Sequence, residues 1–340
     1  MKKNALLLIW LILISTPSYA DTRASILLLH NGQGTSFEAD QLQDAVYQAV
    51  IGDTICLSEG TYQAPQDTLV INKPISIIGT GADNCKIVGN VKVAIDGEIK
   101  LVPRLLDAIN VTEKVIVSKT IKGVKLRKCW VGNFFWVNED IEAYDIEIDR
   151  CYLCRFVLKS SIKSALLTNS VLGWQGYNVD VKKDKLFVEG CNITFFNCNI
   201  YTFDIYCNVA ATYENCIIYA CNMSLANVIK NNTFINTLFS KSASGALTRE
   251  NEVKENNTVQ NCYWDNFSAS VNTNKDDYPT FKITSEALQE RGLLGTDGTI
   301  VGADGGSTPY TLEADGIHIK ESVLKVDPVT RQLNVTLKVE

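Results

Sequence analysis

The sequence predicts an all-β protein whose body is a single-stranded right-handed parallel β-helix, a solenoid built from short strands. Three observations predict it: a short pattern that recurs about once per solenoid turn, strands with alternating apolar and polar residues, and no amphipathic helices between those strands. A TIM barrel or doubly wound sheet would need such helices. A β-sandwich is the alternative fold, but it gives no reason for the pattern to recur.

The recurring pattern is an apolar residue, then a polar residue or Asn, then Cys or another small or polar residue, then an apolar residue. Its copies are centred on Cys129, Cys151, Ser170, Cys191, Cys216, Asn232 and Cys262. Side chains alternate along a strand, so the cysteines are expected to stack inward with the aliphatic residues. Asn before Cys suits a bend, because Asn tolerates left-handed backbone and its amide can bond to the Asn one turn away.

The chain has 11 cysteines. Their odd number and repeated context favour small apolar core residues over a disulfide framework. The Cys151-x-x-Cys154 pair has the spacing of a redox or zinc motif. Strand alternation places its two thiols on opposite faces, however, and no second such pair or histidine accompanies it.

Residues 1–20 read as a cleaved secretory signal. Lys2 and Lys3 precede a short apolar run, and Ser18-Tyr19-Ala20 supplies small residues at the cleavage site. We therefore expect an exported protein that is periplasmic, at the cell surface or extracellular, with no transmembrane segment. Net charge is −6 before this basic leader is removed, which gives no electrostatic reason to bind nucleic acid.

The solenoid is expected to span 21–286, with a capping helix near 40–50. Asp40 is placed to cap this helix, and Leu42, Ala45, Val46, Ala49 and Val50 follow helical spacing. The phrases LQDAV, GDTI, GTY and INKPISIIG follow, and with the repeats they make the chain resemble the pectate-lyase-like β-helix superfamily over roughly 42–267. The resemblance implies the fold. It does not imply an activity, since that superfamily holds lyases, hydrolases, adhesins and non-enzymatic surface proteins.

Residues 287–340 are expected to form a turn-rich β tail. A short helix is expected at 285–291, and strands near Ile317-His318-Ile319 and over 333–339. The tail resembles the ending of some secreted bacterial β-helix proteins. We expect it to cover the far end of the solenoid or to dock the protein to a partner protein.

Asp145, Glu147 and Asp149 form the best acidic candidate site. Alternation puts all three on one strand face, about 7 Å apart, where they could supply oxygen ligands to Ca²⁺. The alternative is an ordinary ladder of ion pairs, with Lys125 beside Glu147 and Arg127 beside Asp149 on the preceding turn. The ladder is the favoured interpretation.

Aromatic residues supply the second candidate site. The glycan-stacking candidates are Trp130, Tyr152, Trp136, Trp174 and Tyr263. Trp130, Tyr152 and Tyr263 each follow an inward Cys, so they should point outward, with Trp130 and Tyr152 on adjacent turns. Such a strip can stack on sugar rings. The alternative is that loops or the C-terminal tail cover it.

The sequence favours a β-helix that binds a polysaccharide or cell-surface glycan without a complete catalytic site. No catalytic residue is assigned, since neighbouring turns show no repeated carboxylate cluster and the two histidines lie near opposite ends. A polysaccharide lyase or glycoside hydrolase acting on acidic glycans is the alternative. No cofactor is expected apart from the Ca²⁺ of that alternative.

Overall fold

A computed structural model shows a right-handed parallel β-solenoid of about seven turns. It describes residues 24–138, 140–156, 161–173, 191–200, 210–219, 231–241, 254, 257–268, 285–315, 319–326 and 333–339. The predicted leader and Trp174 lie outside these residues. Along the described part of the chain, no helix is long and apolar enough to cross a membrane.

The N-terminal end is covered by helix α1, Leu42–Gln48, which buries Leu42, Ala45 and Val46 against the first turns. The predicted cap on Asp40 is wrong, because a 3-10 turn at Ala39–Gln41 precedes the helix and contains Asp40. A capping box closes the start of this 3-10 turn: the side chain of Gln41 accepts the backbone N–H of Glu38 at 3.0 Å.

Strands stack into two long sheets and one short one. Sheet 1, in spatial order, comprises β2 (Gln33–Glu38), β1 (Ser25–His30), β3 (Thr54–Leu57), β5 (Ser76–Ile78), β8 (Leu106–Asp107), β12 (Lys125–Arg127), β15 (Ile146–Asp149), β17 (Ser164–Thr168), β19 (Asn192–Phe196), β21 (Thr212–Glu214), β23 (Thr233–Ile235) and β25 (Thr258–Gln260). β1 pairs antiparallel with β2 and β3, and the rest of the sheet is parallel.

Sheet 2 comprises β4 (Gly60–Ile71), β6 (Cys85–Val93), β9 (Asn110–Val111), β10 (Val115–Val117), β13 (Trp130–Val137), β16 (Tyr152–Phe156), β18 (Val171–Leu172), β20 (Asn199–Ile200), β22 (Ile217–Tyr219), β24 (Leu238–Lys241) and β26 (Tyr263–Ser268). Sheet 3 comprises β7 (Gly97–Glu98), β11 (Ile121–Lys122) and β14 (Ala143–Tyr144).

The core runs along the solenoid axis as columns of identical position in successive turns. In sheet 1, Phe195, Tyr213 and Phe234 are in register, almost fully buried, and stacked with ring centroids 4.8 and 5.0 Å apart. Their neighbours in sequence point outward. This alternation is the period-2 pattern from which the fold was predicted.

The corner between sheets 1 and 2 repeats the predicted bend. At this corner, Asn169, Asn197, Asn215, Asn236 and Asn261 all have φ between 45° and 55°. The residue after each Asn lies in one column with Cys129 and Cys151, as the sheet 2 register shows.

The sequence prediction is wrong for two members of the Cys column. It assigned Cys191 and Asn232 to the column, but Cys198 and Thr237 occupy those places. The asparagine ladder occurs instead at the other end of sheet 1. There the side-chain Nδ2 of Asn232 donates to Oδ1 of Asn257, one turn on, at 3.1 Å. This is the bond between turns that the sequence predicted, at a different corner.

The C-terminal segment begins with a short helix and continues along the side of the solenoid. Helix α2, Ser285–Glu290, is followed by a segment that runs back along the outside of the corner toward the N-terminal turns; we call 293–315 the strap. Leu294 lies at the last turns, where its carbonyl accepts Tyr263 Oη–H, and Leu312 accepts the backbone N–H of Ala82 near the first turns.

Beyond the strap, β27 (Ile319–Val326) and β28 (Leu333–Val339) form an antiparallel hairpin. The second predicted strand is confirmed, and the first is described from Ile319 onward, since Ile317 and His318 lie outside the described residues. The residues between the two strands lie outside those described.

Candidate functional site

The three candidate calcium ligands lie on the outer side of the solenoid, but each has its own partner. Lys125 Nζ is 2.8 Å from Glu147, Lys122 Nζ is 3.4 Å from Asp145, and Thr168 Oγ1 donates to Asp149 at 2.8 Å. Across the described residues, no three His, Cys, Asp or Glu side chains gather in a metal-binding arrangement. These residues therefore do not present the converging oxygen set that Ca²⁺ takes.

The predicted ion-pair ladder is confirmed for Lys125 and Glu147, and wrong for Arg127 and Asp149. Arg127 is in register with Asp149, but its guanidinium forms two hydrogen bonds with Asp107 on the preceding turn, at 2.9 and 2.6 Å. Asp107 is only 2% exposed, so its carboxylate has a much larger desolvation cost than that of the partly exposed Asp149. A bidentate partner at Asp107 offsets that cost. Asp149 accepts a hydrogen bond from Arg150 instead.

Trp130 and Tyr152 are neighbours on adjacent turns, as predicted, with ring centroids 4.5 Å apart. They do not form an open strip. Tyr152 is 7% exposed, and both rings pack in a cluster with Tyr310 and Leu312 of the strap. Of the two interpretations left open by the sequence, coverage by the C-terminal segment is the correct one for this pair.

The two other described stacking candidates, Tyr263 and Trp136, lie apart from that pair. Tyr263 packs on the cluster that includes Leu293 and Val301 of the strap, and its hydroxyl donates to the carbonyl of Leu294 at 3.3 Å. Trp136 is half-buried and lies beside Ile116 near the end of β13. These aromatics therefore do not line one continuous groove.

Asparagine side chains of the corner hold the strap by its backbone. The Nδ2 of Asn169 donates to the carbonyls of Ala303 and Gly305, and Oδ1 of Asn215 accepts the N–H of Thr296 at 2.9 Å. Oδ1 of Asn199 likewise accepts the N–H of Ala303. Sequence reasoning assigned the corner asparagines to a ladder along the axis and missed this role.

The close approach of strap and corner explains two glycines of the strap, Gly295 and Gly306. A Cβ on Gly295 would lie 2.7 Å from Cγ of Asn215, and one on Gly306 would lie 2.5 Å from Nδ2 of Asn197. Neither position admits a side chain without displacement. A glycine-rich segment after a run of corner asparagines was the signal available in the sequence.

The far end of the strap is held by charge. The carboxylate of Asp315 contacts Arg127 and lies 2.5 Å from Nζ of Lys128, whose side chain is 4% exposed. The Lys128 hydrogen bond, with the charge of Arg127, lowers the pKa of Asp315. Burial raises the pKa of Tyr310 well above its usual range.

The outer face of sheet 1 carries a second regular feature. Thr194, Thr212, Thr233 and Thr258 are in register on four successive turns, and we call them the threonine column. Beside it runs a column containing Phe196, Glu214, Ile235 and Gln260. Sequence reasoning missed both columns. Their signal is a Thr-x-x-Asn spacing repeated in four turns, such as Thr212 to Asn215.

This outer face changes in character along the axis. Its early turns carry the charged residues Lys125, Arg127, Glu147 and Asp149, whereas the later turns carry hydroxyl, amide and apolar side chains, with Glu214 the charged member of the two columns. Leu166, in line with the threonine column, is 43% exposed. The described residues of the later turns thus mix hydrogen-bonding and apolar groups on this face.

Comparison with known proteins leaves the fold and these surfaces as the basis for function. No model of a known protein family and no curated protein matches the chain.

Proposed function

We propose that this chain is an exported, non-catalytic member of the pectate-lyase-like superfamily that binds a carbohydrate polymer along the outer face of sheet 1. The observation that carries the proposal is the threonine column beside Phe196 and Ile235. The phrases at the N-terminal end and the solenoid fold support the superfamily assignment.

The chemistry of this face suits a sugar chain. A threonine hydroxyl both donates and accepts hydrogen bonds, as sugar hydroxyls require, and its methyl group offers apolar contact. The ring of Phe196 and the branched chain of Ile235 can pack on the apolar face of a sugar ring. Few charges lie among these residues, so a neutral polymer fits better than an acidic one.

The geometry of the solenoid suits a polymer rather than a single sugar. Parallel strands lie about 4.8 Å apart. Each turn therefore places side chains of equivalent position one strand spacing farther along the axis. An extended chain lying along the axis can therefore repeat one set of contacts per turn, and affinity grows with the number of units bound.

The test is retention of the mature protein on a panel of neutral and uronic-acid polysaccharides, with and without Ca²⁺, while released reducing and unsaturated ends are measured. Thr233→Val removes one hydroxyl and keeps its shape, and Phe196→Ala removes the ring. The matched control is Glu147→Ala, on the charged turns of the same face.

We expect retention on a neutral polymer, at least about tenfold weaker in Phe196→Ala and unchanged in Glu147→Ala, a difference of about 1.4 kcal/mol. Release of ends that stops in Glu147→Ala would overturn the proposal in favour of a lyase or hydrolase. Retention that depends on Glu147 and Ca²⁺ would overturn the location of the site.

A further inference from the structure

Residues 307–315 form the last part of the strap and occupy a groove on the outside of the solenoid; we call them the lid. Tyr310 and Leu312 pack on Trp130 and Tyr152, and Ala82 and Val171 complete the groove. The N–H of Ala82 donates to the carbonyl of Leu312 at 3.2 Å. The groove thus already holds a peptide segment by its side chains and its backbone.

One end of this groove is built for an anion. Lys128 has a nearly fully buried side chain, and its Nζ and the guanidinium of Arg127 both contact the carboxylate of Asp315. Arg127 is also neutralised by Asp107, whereas Asp315 is the partner that the structure shows for Lys128. A buried ammonium needs such a partner, so this position selects for a carboxylate.

The lid is separated from the rest of the strap by Gly305 and Gly306. Before this pair, Val301 and Ala303 are fully buried, and Ala303 donates its N–H to Asn199. After it, residues 307–309 are exposed, and Gly306 has φ of +77°. The two glycines can absorb a change of backbone direction, so the lid can leave the groove while the earlier strap stays in place.

We propose that this groove is a docking site for an acidic peptide segment of a partner protein, and that the lid is its resident occupant. The partner segment carries an aromatic residue or leucine followed within a few residues by a carboxylate, as Tyr310, Leu312 and Asp315 do. This inference goes beyond the proposed function, and its residues lie outside the threonine column.

The affinity of the groove for a partner peptide depends on competition between that peptide and the lid. A tethered occupant acts at an effective concentration on the order of millimolar, so a free peptide of equal quality binds poorly while the lid is intact. Weakening the contacts of the lid frees the groove without altering its walls. The proposal therefore predicts that binding in trans appears when the lid loses its side chains.

The test uses the full chain with three lid substitutions, Tyr310→Ser, Leu312→Ser and Asp315→Asn, and a fluorescent peptide with the sequence of residues 307–315. Fluorescence anisotropy should show peptide binding at least tenfold tighter to this variant than to the wild-type protein. Binding should fall at least tenfold when Lys128→Met is added, or when the peptide carries Asn in place of its aspartate. Glu313→Gln, an exposed acid in the same lid, is the control and should leave the wild-type result unchanged.

A folded lid variant that does not bind the peptide would overturn the proposal, and so would binding of an acidic oligosaccharide in its place. If the lid variant fails to fold, hydrogen exchange of the wild-type protein decides. Millimolar peptide should speed exchange of the resident residues 310–315. Unchanged exchange would show that the lid is a permanent part of the solenoid.

Discussion

The Oδ1 atom of Asp315 lies 2.5 Å from Nζ of Lys128, so this contact joins residues 187 positions apart in the chain. Lys128 itself occupies the left-handed corner position, with φ of 51°, that asparagine occupies in the later turns. The same corner is thus held to the strap by amides in the later turns and by an ion pair in the early turns.

The ion pair makes the strap sensitive to acid. Folding lowers the pKa of Asp315 below its ordinary value of 3.8, mainly through the Lys128 hydrogen bond. Its contribution to stability is therefore complete above that value and is lost as the pH falls through the lower folded pKa. Urea unfolding between about pH 6 and pH 2 should show a weaker pH dependence in Asp315→Asn than in the wild-type protein. Equal pH dependence in the two proteins would contradict this, and Glu313→Gln is the matched control.

Arg127 and Lys125 are on the same strand but differ in their partners. Removing Arg127 leaves the buried carboxylate of Asp107 with one fewer cation and weakens the hold on Asp315, so Arg127→Ala should cost about 3–5 kcal/mol. Lys125 pairs with Glu147 at the surface, and Lys125→Ala should cost less than about 1 kcal/mol. Denaturant unfolding of both variants measures the difference. Similar losses would show that the buried pair is not the stabilising one.

The sequence predicts the solenoid well because its main contacts join equivalent positions one turn apart. The inward columns, the bends before Cys and the outward direction of Trp130 and Tyr152 all follow from strand alternation and a repeat length. The same logic failed where the repeat changes length. The column member after Ser170 was assigned to Cys191, but the register places Cys198 there, seven residues farther along the chain.

Buried cysteines of the corner column should be chemically inert in the folded protein. Burial raises the pKa of Cys151 well above its usual range and that of Cys85 to about 12, so their reactive thiolates are scarce at neutral pH. Iodoacetamide followed by peptide mass spectrometry should leave both unmodified in the native state and modified in urea. Cys56 is half-buried, and although burial raises its pKa as well, it is the internal comparison and should react before Cys151 and Cys85. Rapid native modification of Cys151 would contradict its burial.

The strap was beyond sequence reasoning because its contacts follow no period. Asn169 bonds to residues more than 130 positions away, and both of its bonds use backbone carbonyls of the strap, which any residue carries. Only the glycines mark the path, and glycine-rich segments are equally typical of exposed turns. The aromatic pair shows the same limit: the outward direction of Trp130 and Tyr152 follows from strand alternation, whereas their coverage by the C-terminal segment stayed one of two open alternatives in the sequence.

Asn215 offers the sharpest test of how the corner holds the strap. Its side chain is fully buried, accepts the N–H of Thr296 and donates to its hydroxyl, and its φ is 55°. Asn215→Ala loses both hydrogen bonds and places alanine in left-handed backbone, so it should cost about 2–4 kcal/mol. Asn215→Gly recovers about 1 kcal/mol of this, because only the backbone cost is relieved. Asn261 has the same backbone but is exposed, and Asn261→Ala should cost about 1 kcal/mol in urea unfolding. Equal losses at the two positions would mean that the amide bonds to the strap contribute nothing to stability.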